Sequence, residues 1–172
     1  MAPRARGGVS LGGVLTGVVV AFGAMFLLSA IVGGILAALG ITDTNVTRSE
    51  AVDAGISGGI AFVVATLLAY LWGGYTAGRM ARGAGLLNGV LVPVVAIVIA
   101  LIIGAIGAAL GATVNLNLPL STARLPVQGG DAVSWGVGLG VAALVAMFLG
   151  GILGGLLGAR WHTKLERRAI NE

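Results

Sequence analysis

Apolar residues run along this chain in four long stretches, at about residues 9–39, 54–78, 84–112 and 132–159, and none of them contains Asp, Glu, Lys, Arg or His. A helix needs about 20 apolar residues to cross a hydrocarbon core of about 30 Å. Each stretch therefore predicts one transmembrane helix, with enough surplus length to tilt or to extend a little beyond the bilayer. The expected fold is all-α: an integral membrane four-helix bundle forming a single domain over 1–172. Two outer loops (40–53 and 113–131) and a basic tail (160–172) complete it.

Composition supports this. Charged residues make up 9% of the chain and apolar residues 58%, whereas a globular domain carries roughly 25% charged residues. A soluble fold could not clothe itself in so few polar groups. The charges are also segregated. Arg4, Arg6, Arg79, Arg82, Arg160, Lys164, Arg167 and Arg168 fall on one side of the four spans, with only Arg48 and Arg124 on the other. Asp43, Glu50, Asp53 and Asp131 share that second side. The positive-inside rule makes the first side cytoplasmic, with both termini there. The net charge of +4 is then a topology signal and not a nucleic-acid footprint. The first apolar stretch is about twice the length of a signal-peptide core, so it reads as an uncleaved helix. Cysteine is absent, which rules out a disulfide framework and thiolate metal ligation. The Arg-, Ala- and Gly-rich composition fits a bacterial cell (inner) membrane protein.

Aromatic residues sit where interfacial anchors are expected. Trp135 and Trp161 bracket the fourth span, and Tyr70, Trp72 and Tyr75 cluster near the cytoplasmic end of the second. Thr47-Arg48-Ser49-Glu50 has capping-box spacing, so the second helix should begin outside the bilayer. Asp131 is placed to cap the fourth. In the outer loop, Val114-Asn-Leu-Asn-Leu-Pro-Leu120 alternates apolar and polar residues, as a short strand or an interfacial segment would. The tail has an amphipathic pattern, with Trp161, Leu165 and Ala169 on one side and Lys164, Arg167 and Arg168 available to anionic lipid headgroups.

The chain reads as a repeated hairpin. Gly13-Val-Leu-Thr-Gly17 is echoed by Gly85-Leu-Leu-Asn-Gly89, and the segment Ile31–Gly40 by Ile102–Gly111. The second and fourth spans share a Gly-Gly pair (from Gly73 and from Gly150) and a closing Arg (Arg79 and Arg160). Two parallel hairpins of this kind would be related by a pseudo-twofold axis along the membrane normal. Glycine pairs four residues apart occur about twice as often as 31 glycines in 172 residues would produce by chance, and such pairs let membrane helices approach closely. The densest set is Gly150, Gly154 and Gly158 overlaid by Gly151 and Gly155. The pattern does not itself separate packing within one chain from packing between chains; mainly intramolecular use is expected of these glycines, Gly13, Gly17, Gly85 and Gly89 included, with the zipper the foremost candidate for an intersubunit face. Pro93 should bend the third helix near Gly89 and could serve as a hinge.

No arrangement for catalysis is present. The spans lack the Ser–His or Ser–Lys pairs, paired Asp residues and His clusters that intramembrane hydrolysis needs, and the lone His162 lies in the tail. No cofactor or metal is expected. Ion-coupled transport normally leaves ionisable residues at membrane depth, and these spans have none. Two functional readings follow. The first is a non-catalytic membrane protein acting through association, as a homo-oligomer or an accessory subunit of a membrane complex. The second is a small channel or carrier for a neutral solute, whose polar path would be lined by Thr16, Asn88 and Ser57.

The segment Trp72-Gly-Gly-Tyr-Thr-Ala-Gly-Arg79-Met-Ala-Arg-Gly-Ala-Gly85-Leu-Leu-Asn-Gly89 resembles the signature of YrzE-like small bacterial membrane proteins, in which a Gly-Gly-x-x-Ala-Gly-Arg hairpin joins the second and third of four spans. The resemblance implies the four-span layout and carries no activity with it. The outer loops of this chain are longer than the family pattern suggests.

Overall fold

A computed structural model of the chain describes residues 8–38, 48–81, 84–114 and 130–170. The described residues form four α-helices: α1 (Leu11–Ala38), α2 (Arg48–Met80), α3 (Gly85–Val114) and α4 (Gly130–Ile170). Each contains a stretch long and apolar enough to cross a membrane, at Leu11–Ile35, Ser57–Met80, Gly85–Leu110 and Val137–Arg160. The protein is therefore a multi-pass membrane protein built as a four-helix bundle. Helix α2 starts at Arg48, well ahead of its apolar stretch, and α4 continues to Ile170, so the basic tail is helical. Thr47 and the alternating segment beyond Val114 lie outside the described residues.

Consecutive helices run antiparallel, so α2 and α4 are parallel to each other. They share the most extensive interface in the bundle, while among the described residues α1 and α4 are not in contact. Thus α2 and α3 occupy the short diagonal of a rhombus, with α1 and α4 at its far corners. A pseudo-twofold axis exchanging the two hairpins would make the α1–α4 and α2–α3 contacts equivalent. One is absent and the other present, so the packing between hairpins is not twofold.

Within each hairpin, by contrast, the same crossing recurs. A methyl group added to Gly73 would lie 2.5 Å from the Gly17 carbonyl oxygen and 2.8 Å from the Ala21 side chain. One added to Gly151 would lie 2.5 Å from the Gly89 carbonyl oxygen and 3.0 Å from Pro93. Gly17 and Gly89 correspond in the sequence repeat, as do Ala21 and Pro93. The Gly73 partner is Gly151, one residue beyond the Gly150 that sequence alignment pairs with it.

Among the residues whose burial is described, the buried ones lie at one end of the bundle. The buried residues fall between Gly13 and Ala24 on α1, Ala65 and Ala81 on α2, Gly85 and Ala96 on α3, and Ala146 and Gly158 on α4. This is the end that carries Arg79 and Arg160, hereafter the basic end. Val14, Val18, Ala21, Ala69, Tyr70, Ala77, Val92 and Ala96 form its core. Most of these residues are small, which is how helices approach closely where lipid offers no hydrophobic drive for association. Tyr70, expected as an interfacial anchor, is instead a core residue at 5% exposure, whereas Trp72 is 52% exposed. The two are separated by about 200° around the helix, so one faces inward and the other outward.

Candidate functional site

The glycines singled out on α3 and α4 converge with α2 on a junction at the basic end. Gly151 and Gly155 stand at its centre. A methyl on Gly74 or Gly78 of α2 would come within 2.8 Å of the Cα of Gly151 or Gly155, respectively. From α3, Gly89 meets the Gly155 Cα at 2.9 Å in the same sense, and Gly85 meets the Gly155 carbonyl at 2.6 Å. Three backbones therefore meet with no room for a side chain between them. The second glycine row of α4 grips the other side of α2. Gly150 lies against the Leu67 carbonyl, Gly154 against Leu71 and the Tyr75 nitrogen, and Gly158 against Tyr75 and the Arg79 nitrogen. Helix α2 thus sits in the groove between the two rows. Backbones this close allow Cα–H groups to approach carbonyl oxygens, a contact worth about 0.5–1 kcal/mol each.

Both rows of the α4 zipper are covered by α2 and α3 of the same chain, an intramolecular use that leaves this foremost candidate for an intersubunit face occupied. The physical reason is that a groove two glycines wide accepts one helix, and α2 fills it. Gly13 and Gly17 pack α1 onto α2, with a Gly17 methyl falling 2.6 Å from the Gly73 carbonyl oxygen.

Pro93 is among the fully buried side chains and lies against Gly151. Proline cannot donate to the carbonyl four residues back, here Gly89, and that carbonyl is the one facing Gly151 across the helix crossing. The carbonyl that Pro93 cannot bond thus faces a neighbouring Cα–H. The proline is fully buried and packed against α4.

The three residues offered as a polar path are not brought together. Asn88 is fully buried. Its Nδ2 donates to the Ala84 carbonyl (2.9 Å), and its Oδ1 accepts the Ser10 backbone N–H (3.0 Å). Thr16 is exposed, and its hydroxyl donates to the Gly12 carbonyl of its own helix (2.8 Å). Ser57 is exposed near the far end of α2, about 35 Å along the helix from the basic end. Thr66, buried one turn from Tyr70, donates to the Phe62 carbonyl at 2.7 Å. Each such bond to the helix's own backbone satisfies the hydroxyl locally.

Asn88 has a role that the sequence reading missed. The Ser10 hydroxyl accepts the Gly13 N–H (3.2 Å) as the N-cap of α1, and Asn88 reaches from α3 to hold the cap's own N–H. In a capping box a Glu of the same helix does this; here another helix does it. A Ser immediately before an apolar run was the available signal for the cap, although nothing local pointed to its partner on α3.

Among the described residues no group of His, Asp or Glu is placed to hold a metal ion, and no buried side-chain polar atom lacks a hydrogen-bond partner. In comparisons with known proteins, no family model, no curated protein and no solved structure matches this chain.

Proposed function

We propose that this protein is a non-catalytic integral membrane protein that acts by association, as a homo-oligomer or as an accessory subunit of a membrane complex. The observation that carries the reading is the closure of the basic end. Backbone-to-backbone glycine contacts and the Val14, Val18 and Val92 side chains fill the space between the helices, and the polar groups there are bonded to backbone. A solute path would have to cross this region, and Asn88, its one fully buried amide, is engaged on both sides. With the interior filled, the outer surface of the bundle is what remains to do work.

The test is solute flux. Purified protein in liposomes should leave the shrinkage and swelling rates in water, glycerol and urea equal to those of empty liposomes. A protein-dependent increase would contradict the reading and favour a neutral-solute channel.

The reading extends to placement. The Arg-, Ala- and Gly-rich composition supports a bacterial inner membrane location, the charge segregation supports both termini cytoplasmic with the basic face against anionic headgroups, and the Gly-Gly-x-x-Ala-Gly-Arg hairpin supports kinship with YrzE-like proteins. The chain has no cysteine, so Glu172→Cys introduces a unique thiol. In intact spheroplasts that thiol should resist a membrane-impermeant maleimide and react once the membrane is opened. Labelling without opening would reverse the topology.

A further inference from the structure

Toward the basic end, exposed side chains of α2 fall in one stripe. Val64, Leu68 and Trp72 are exposed, and so is Arg79. Steps of four, four and seven residues keep all four within about 80° of one another around the helix. The chain itself closes both flanks of the stripe. On one side Gly13 and Gly17 of α1 lie against Ala77 and Gly73. On the other, Gly154 and Gly158 of α4 lie against Leu71 and Tyr75.

The chemistry changes along the stripe. Val64 and Leu68 are aliphatic, and Trp72 is an amphipathic ring of the kind that settles at headgroup level. Arg79 stands in the last turn of α2, about 10 Å further along the helix. From Ala54 to Gly78 the helix has no ionised group. The Thr76 hydroxyl, between ring and guanidinium, donates to the Trp72 carbonyl at 2.9 Å and is already engaged. Aliphatic stretch, ring and cation thus follow the order of a phospholipid from acyl chain to phosphate. An apolar helix seated here would match the aliphatic part but bury the guanidinium without a counter-charge, which is costly. A guanidinium has five N–H donors, enough to hold a headgroup phosphate beside the interaction that Arg79 makes within the chain.

We propose that this stripe of α2 is a binding position for one anionic phospholipid, with its phosphate on Arg79 and an acyl chain along Trp72 and Leu68. The proposal rests on the reading that the basic end lies among anionic headgroups, and it makes one place there specific. Arg160 is the comparison. It is exposed at the same end and follows Leu149, Leu153 and Leu156 on its side of α4, with no ring among them.

The test reads which lipid touches Trp72. The chain has three tryptophans, so the full-length Trp135→Phe/Trp161→Phe variant emits from Trp72 alone. It is reconstituted into mixed vesicles of phosphatidylglycerol and phosphatidylcholine, with one or the other brominated on its acyl chains. Quenching then gives the relative affinity of the two lipids at the ring. The expected ratio is about fivefold in favour of phosphatidylglycerol. Arg79→Gln brings it close to one, whereas Arg160→Gln, the same change in charge, leaves it in place. Both leaflets carry the same mixture, so the result does not depend on which way the chain inserts. A ratio near one before either substitution would overturn the site and count against the headgroup reading beneath it. A preference that survives Arg79→Gln, or that both variants lower equally, would overturn the site alone. So would a Trp72 that neither brominated lipid quenches, because another helix would then cover the stripe.

Discussion

Replacing Gly151 with leucine is expected to destabilise the bundle by about 3 kcal/mol, the upper part of the range for overpacking a filled core. The site has backbone on two sides. A single methyl at Gly151 already falls 2.5 Å from the Gly89 carbonyl oxygen and 3.0 Å from the Pro93 ring, and the Gly74 backbone closes the remaining side. None of these groups is the flexible end of a side chain, so none can step aside. Three helices must separate, which removes the close contacts along both the α2–α4 and α3–α4 crossings. Gly104→Leu is the control, because Gly104 meets nothing within 4 Å. It should change stability by no more than about 0.5 kcal/mol. Equilibrium unfolding of both variants in mixed micelles provides the comparison. Equal effects at the two positions would mean that glycine matters here through helix propensity and not through packing.

Asn88→Leu is expected to cost about 2 kcal/mol. The substitution is close to isosteric, so the loss is chemical. The Ser10 N–H loses its acceptor in a half-buried setting, and an orphaned polar group costs about 1–3 kcal/mol. The effect has a local signature. Amide exchange at Ser10 and Gly13 should accelerate, because the α1 cap is held from α3, while amides at the α2–α4 crossing keep their protection. Uniform acceleration across all four helices would show that Asn88 supports the whole core and not this cap.

The four spans and the helical class were legible in the sequence because a bilayer imposes one strong requirement, an unbroken apolar stretch with its backbone satisfied internally. Both longer extensions were also legible: a helix start ahead of the second span and a helical tail. The glycine rows could be read as packing faces because close approach needs small residues, yet their partners could not. Gly150 and Gly154 have the same periodicity whether they face α2 or another chain, and only the three-dimensional arrangement puts α2 in the groove. Tyr70 illustrates a related limit. Its position near the end of a span suits an anchor, but its angle on the helix, fixed by Gly73 and Gly74 nearby, turns it inward. The hairpin repeat was visible, whereas its packing register differs by one residue on α4 and its docking breaks the symmetry. Those outcomes depend on which positions of each helix carry small side chains. Asn88 was noticed for its polarity and assigned to a path, because its partner lies 78 positions away in the chain and no local pattern links the two.

Association is the central claim, and intact-complex mass spectrometry tests it most directly. The chain would be extracted from native membranes in nanodiscs or a gentle detergent and weighed with whatever accompanies it. The account predicts a stoichiometric complex, containing either further copies of this chain or a second membrane subunit. A chain recovered alone, as a monomer at its native abundance, would contradict it.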